Sequence, residues 1–163
     1  MGLPLRAPSV RHDAAWIADC LNRADAVLAA PPAKSHIRRV KPKGQLVARF
    51  VLPLELCPTT NFTRHGKPWA LAKLKKQIGL LLFIQHRPRK APLPGRPFVR
   101  CIRFSSSAPD AYNDGFKAAI DRLCSGKNAL GFLRDDRPSD AEVWQGWEYA
   151  APGRGFGLVE VYA

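Results

Sequence analysis

Hydrophobic positions fall into short runs of distinct period, separated by polar stretches rich in proline and arginine. Over residues 14–29, Ile17, Leu21 and Ala24 to Leu28 form an apolar stripe at helical spacing, with Asp13 as candidate N-cap and Pro31–Pro32 as the stop. Gln45–Leu54 alternates instead. Leu46, Ala48, Phe50, Leu52 and Leu54 share one face while Val47 and Val51 make the other partly apolar, which predicts a strand in the interior of a covered sheet. From Pro68 to Gln85 the period returns to helical, with Leu71, Leu74, Ile78, Leu81 and Leu82 on the stripe and Lys73, Lys75 and Lys76 off it. Phe98–Phe104 reads as a second strand, edged by Arg100 and Arg103.

The last third continues the alternation. Asn113–Cys124 predicts a short amphipathic helix capped by Asn113 or Asp114, with Phe116, Ala119, Ile120 and Leu123 on one face. Ser125-Gly126 ends it, and Leu130–Leu133 is a brief apolar piece before a turn. Glu142–Ala150 and Phe156–Tyr162 read as strands joined in a hairpin by Pro152-Gly153-Arg154-Gly155. The order is an extra helix followed by β, α, β, α, β, β. It predicts an α/β (α+β) domain with a single mixed sheet flanked by helices. Residues 1–44, a helix and a basic linker, read as an appendage to a main domain over 45–163.

Charge changes the picture more than size does. The 163 residues, 46% hydrophobic, suffice for one core, but the net charge of +13 is extreme and favours a polyanionic partner, nucleic acid ahead of an acidic membrane surface. A solvated basic surface is the plainer alternative. Candidate backbone contacts lie in the basic segments: Arg38, Arg39, Lys41 and Lys43 in the linker; Asn61, Arg64, His65 and Lys67 after the first strand, before Trp69; Lys73 and Lys76 on the helix; and Arg87, Arg89 and Lys90 beyond it. Cys20, Cys57, Cys101 and Cys124 show no metal-ligand spacing and read as buried hydrophobes of a reducing, cytoplasmic compartment. The longest apolar run, Ile78–Ile84, is too short to span a bilayer, and no signal-peptide pattern opens the chain.

Against this basic background the carboxylates concentrate late. Asp110 precedes the third helix, Asp114 and Asp121 share a face with Lys117, and Asp135–Asp136 follow about a dozen residues on. Brought together, they offer oxygen ligands for a divalent cation beside a lysine that reaches phosphate. The alternative reading is structural: Asp114 caps the helix, Asp121 pairs with Lys117 or Arg122, and Asp135–Asp136 decorate a turn. No GxSxG, P-loop or GxGxxG occurs, and His12, His36, His65 and His86 are scattered.

The run Pro109-Asp110-Ala-Tyr-Asn113-Asp114-Gly-Phe-Lys117-Ala-Ala-Ile-Asp121-Arg-Leu123, followed by Asp135–Asp136, resembles the signature of the RusA family of Holliday junction resolvases. That family carries an Asp-rich element running into Lys-x-x-x-Asp-x-Leu and then a paired Asp. Thr60-Asn61 and Arg64–Trp69 are similar to its early loop, and the resemblance spans roughly residues 45–163. It implies a small homodimeric protein that cuts branched DNA, four-way junctions above all, with magnesium or in its place manganese, and no small-molecule cofactor. Asp110, Asp114 and Asp136 would then hold metal, Asp135 would support them, and Lys117 would assist at the scissile phosphate. The chain departs from the pattern at two positions. Ala111 and Asn113 stand where carboxylates are expected, and asparagine is a neutral, weaker oxygen ligand. A catalytically degenerate nucleic-acid binder on the same fold is therefore the alternative expectation.

Overall fold

The strand Phe156–Tyr162 is buried at every position, which only a central strand of a sheet covered on both faces can be. The structure, a computed structural model, describes residues 12–32, 39–58, 68–109 and 115–163. In chain order these form α1 (Ala14–Ala29), β1 (Leu46–Leu52), a 3₁₀ turn (Leu54–Leu56), α2 (Pro68–Gln85), β2 (Phe98–Ser105), α3 (Lys117–Leu123), β3 (Glu142–Tyr149) and β4 (Phe156–Tyr162). The four strands make one mixed sheet in the order β1-β4-β2-β3. β4 runs antiparallel to both neighbours, and β3 lies parallel to β2. The expected single mixed sheet is present. Among the described residues no helix is long and apolar enough to cross a membrane.

Three expectations are corrected. β3 and β4 do not form a hairpin, because β2 lies between them and pairs with both. A turn of suitable composition permits a hairpin but does not compel one, and here β2, buried at six of its eight positions, takes the interior place. β1 is an edge strand rather than an interior one. Its two apolar faces reflect cover by helices on both sides, with Phe50 and Leu52 in one cluster and Val51 in the other. The open edge is blunted by Gln85, whose side-chain amide both donates to Val51 O and accepts from Val51 N at 2.8 Å. Finally, α3 begins at Lys117, four residues later than the periodicity predicts. Phe116 stands at its N-cap position without a side-chain cap bond.

One face of the sheet carries α2, α3 and the segment 130–133, which pack Ile78, Leu82, Ile120, Leu123 and Phe132 onto Phe50, Val99 and Val159. The other face carries α1. Asp13 caps this helix by accepting from Trp16 N at 3.0 Å, and Cys20 and Ala24 sit fully buried against Val51, Ile102, Phe104 and Leu158. The helix is thus integral to the packing. Glu160, in the middle of β4 on this face, is held by Arg49 and Arg100 from the flanking strands at 3.2 and 2.6 Å. Arg49 also reaches Asp25 of α1 at 2.7 Å. The last turn of α1 is tied down by Arg39, which donates to the carbonyls of Val27, Leu28 and Ala30 and pairs with the buried Glu148.

If α1 is integral, Ala24→Asp, which places a carboxylate at a fully buried position, is expected to cost about 3–5 kcal/mol in denaturant unfolding. Ala26→Asp, on the exposed side of the same helix, is expected to cost less than about 0.5 kcal/mol. Equal effects at the two positions would show that α1 does not pack on the sheet.

Candidate functional site

The segment after α3 explains how carboxylates far apart in sequence meet. The amides of Leu130, Gly131, Phe132 and Leu133 donate to the carbonyls of Arg122, Cys124 and Leu123, at 2.8 to 3.0 Å. These carbonyls close the end of a short helix and need partners, and the buried Leu130, Phe132 and Leu133 anchor the returning chain. On its other side the segment accepts Arg89 N at Leu130 O and Leu93 N at Phe132 O. Ser125 Oγ adds a bond to Leu133 O at 2.9 Å. The chain is thereby led back along α3, and Asp135–Asp136 arrive beside it.

Lys117 is the hub of what results. Its ammonium donates to Asp121 Oδ1 at 2.9 Å, one helical turn on, and to Asp136 Oδ2 across the gap. Asp121 Oδ2 also meets Lys75 of α2 at 3.1 Å. Asp135 accepts Asp136 N at 2.8 Å and pairs through its other oxygen with Arg137 at 3.0 Å. A shallow pocket of about 350 Å³ opens here, lined by Lys75, Asp121, Cys124, Lys127, Asp135 and Asp136 among others. Three carboxylates thus pair with three cations, Lys75, Lys117 and Arg137, and Lys127 borders the same pocket.

Protonation follows from these contacts. Burial works against the Lys117 ammonium, but the hydrogen bonds and charges of Asp136 and Asp121 outweigh it and raise its pKa. Lys117 is a fixed cation at neutral pH, unable to serve as a general base. The Lys117 hydrogen bond holds the Asp136 carboxyl below its ordinary value. Burial, reinforced by Asp136, Asp121 and Asp135, pushes the Cys124 thiol up to about 12. It stays protonated and offers no thiolate. The available donors are therefore hard oxygens, the ligand type that magnesium and manganese take. Among the described residues no three His, Cys, Asp or Glu side chains converge as a ready metal-ligand set.

Of the residues singled out in the sequence, the structure brings together Lys117, Asp135 and Asp136, with Asp121 added through its pairing. Asp110, Asn113 and Asp114 lie outside the described residues, as do Arg38, Asn61, Arg64, His65 and Lys67. The remaining basic candidates divide. Lys41, Lys73, Lys76, Arg87 and Lys90 are exposed. Lys43 pairs with Glu142 at 3.0 Å, and Arg39 is committed to Glu148 and α1. Arg89 bonds Ala91 O at 3.2 Å and lies over the Phe132 ring. Sequence reasoning passed over Lys75 as a member of the cluster. Its place in the basic run Lys73–Lys76 hides that it alone of the three turns toward α3.

The fold and cluster define a mixed α/β domain with an oxyanion- and cation-rich surface site. A scan against protein-family models and searches of curated proteins and of solved structures each find no match to this chain.

Since the Asp136 pKa is depressed in the folded state, its pairing contributes stability above the ordinary value of 3.8, lost as pH falls through the folded value. The Asp136 carboxyl carbon is expected to titrate below 3.8 by NMR, and to move back up in Lys117→Met. A native midpoint at or above 3.8 would contradict the pairing.

Proposed function

We propose that this protein is a magnesium-dependent, structure-specific endonuclease acting on branched DNA, similar to the RusA resolvases, working as a cytoplasmic homodimer. The observation that carries the reading is the meeting of Lys117, Asp121 and Asp136, 19 residues apart at the extremes, in one hard-oxygen cluster on a strongly basic protein. The cluster offers hard oxygen ligands beside a lysine that reaches phosphate, which fits a metal-assisted phosphodiester site. Asp136 and Asp135, with Asp110, Asn113 and Asp114 from the preceding segment, are the residues that would hold the ion. When bound, magnesium supplies an activated water and neutralises charge on the phosphate oxygens.

The chain's own groups account for the rest. Lys117 keeps its proton, so it acts as a positioned charge at a phosphate oxygen. Asp136 and that oxygen compete for the same ammonium, which loosens the pairing when a strand is seated. Lys73 and Lys76 stand on the outer side of α2 with the exposed Trp69, an arrangement suited to backbone contact with base stacking alongside. Recognition through backbone implies weak sequence preference and a steep salt dependence.

A second reading, a binder without cleavage, is favoured by two features. Ala111 and Asn113 replace expected carboxylates, and every carboxylate of the described cluster already has a cationic partner. The two readings separate in one assay. Purified protein with a labelled four-way DNA junction is expected to give paired, symmetric nicks with magnesium, none with chelator, and at least a 100-fold slower rate in Asp136→Asn. Tight binding with no nicks in magnesium or manganese would establish the binder instead.

A further inference from the structure

Of the six large hydrophobic side chains exposed among the described residues, four lie on α2. Trp69, Leu80, Phe83 and Ile84 are 65, 59, 38 and 70% exposed. At about 100° per residue they fall within roughly 50° either side of one line along the helix. The exposed Lys73 and Lys76 share that line, and the exposed Arg87 follows just past the helix end. From Trp69 to Ile84 the stripe is about 22 Å long. α2 holds three lysines and no acidic residue. Its inward side is committed to the fold. Ile78 and Leu82 lie in the core, and Lys75, roughly 130° round the axis from the stripe, meets Asp121. A contiguous apolar stripe set among cations marks an interaction surface.

The partner has to cover aliphatic side chains and answer cations at once. A DNA backbone answers the cations but leaves Leu80 and Ile84 in water, since neither has a π-face on which a base stacks. A second copy fails on charge. Antiparallel pairing centred on Leu80 and Phe83 sets Lys76 of each copy opposite Arg87 of the other, and α2 has no acid to place between them. An anionic lipid surface meets both demands. Its headgroups take the charged ends of Lys73, Lys76 and Arg87, whose stems reach up from the apolar boundary. Leu80, Phe83 and Ile84 enter that boundary, and the indole of Trp69 suits the headgroup level.

We infer that the outer face of α2 seats this protein on an anionic lipid surface. The inference does not rest on the nuclease reading. Lys73 and Lys76 serve both ligands, so DNA and lipid compete for them. The Lys117 cluster, which α2 meets through Lys75 instead, stays clear of the lipid.

A protein of charge +13 is drawn to any anionic surface, so the test has to separate the stripe from net charge. The full chain is floated with phosphatidylcholine vesicles, with and without phosphatidylglycerol, beside a variant carrying Leu80→Ser and Ile84→Ser, which leaves the charge unchanged. The wild type is expected to float with the anionic vesicles only, and the variant to partition at least about 10-fold more weakly. In bicelles of the same anionic composition, spin-labelled lipid is expected to broaden the wild-type amides of residues 80, 83 and 84. Flotation of the variant equal to wild type would reduce the effect to net charge and overturn the proposal. So would the absence of flotation, with the same amides moved only by duplex DNA or only by raising the protein concentration, which would give the face to DNA or to a second copy. Both substituted side chains are largely exposed, so the variant is expected to fold. Should it not, the wild-type broadening decides alone, and broadening centred away from α2 overturns the proposal.

Discussion

β4 is the constraint on which the other elements depend. It is buried on both faces along its length, so the chain must supply two flanking strands, a cover for each face, and counter-charges for the acid it carries. Glu160 would be an isolated buried anion without Arg49 and Arg100, and those arginines set β1 and β2 in register on either side. Breaking such a pair leaves a desolvated charge, which costs about 3–5 kcal/mol. The same strand positions the chemistry. Gly157 leaves the room in which Phe116 sits, and Phe116 fixes where α3, and with it Lys117, begins.

The surface cluster obeys a different rule from the sheet interior. In the interior each acid has its arginine and the pairs are closed. At α3 the pairs are exposed to solvent, made mostly by lysines, and bordered by a shallow pocket. Lysine is a compact charge on a flexible stem, so these contacts rearrange at little cost when an anion or a metal ion arrives. The interior pairs are tied to the packing of the sheet, whereas the pairs at α3 can change without disturbing it.

Local signals carried much of the fold into the sequence. The α1 boundaries follow from a capping aspartate and a Pro-Pro stop, and those of α2 from an uninterrupted 3.6 period. The β4 boundaries follow from a short apolar run between turns. Strand order was not legible, since β2 takes the place between β3 and β4 through long-range pairing that turn composition does not encode. The start of α3 was misjudged for a related reason. Phe116 is held over Gly157 by tertiary contact, which overrides the capping preference of Asn113 and Asp114. Within the site, the Lys117–Asp121 pair was visible as an i, i+4 spacing. The Lys117–Asp136 contact was not, because it depends on the amides of 130–133 closing the end of α3. Arg39 shows the converse error. In sequence it is one more cation of a basic linker, and in the fold it holds the end of α1.

Manganese tests the proposed magnesium site at Asp135 and Asp136 most directly. Paramagnetic broadening of backbone amides should begin at substoichiometric Mn²⁺ around residues 117, 121, 135 and 136, and magnesium should reverse it. Broadening confined to the acids of α1 and the 3₁₀ turn, Asp19, Asp25 and Glu55, or none at all, would contradict the account.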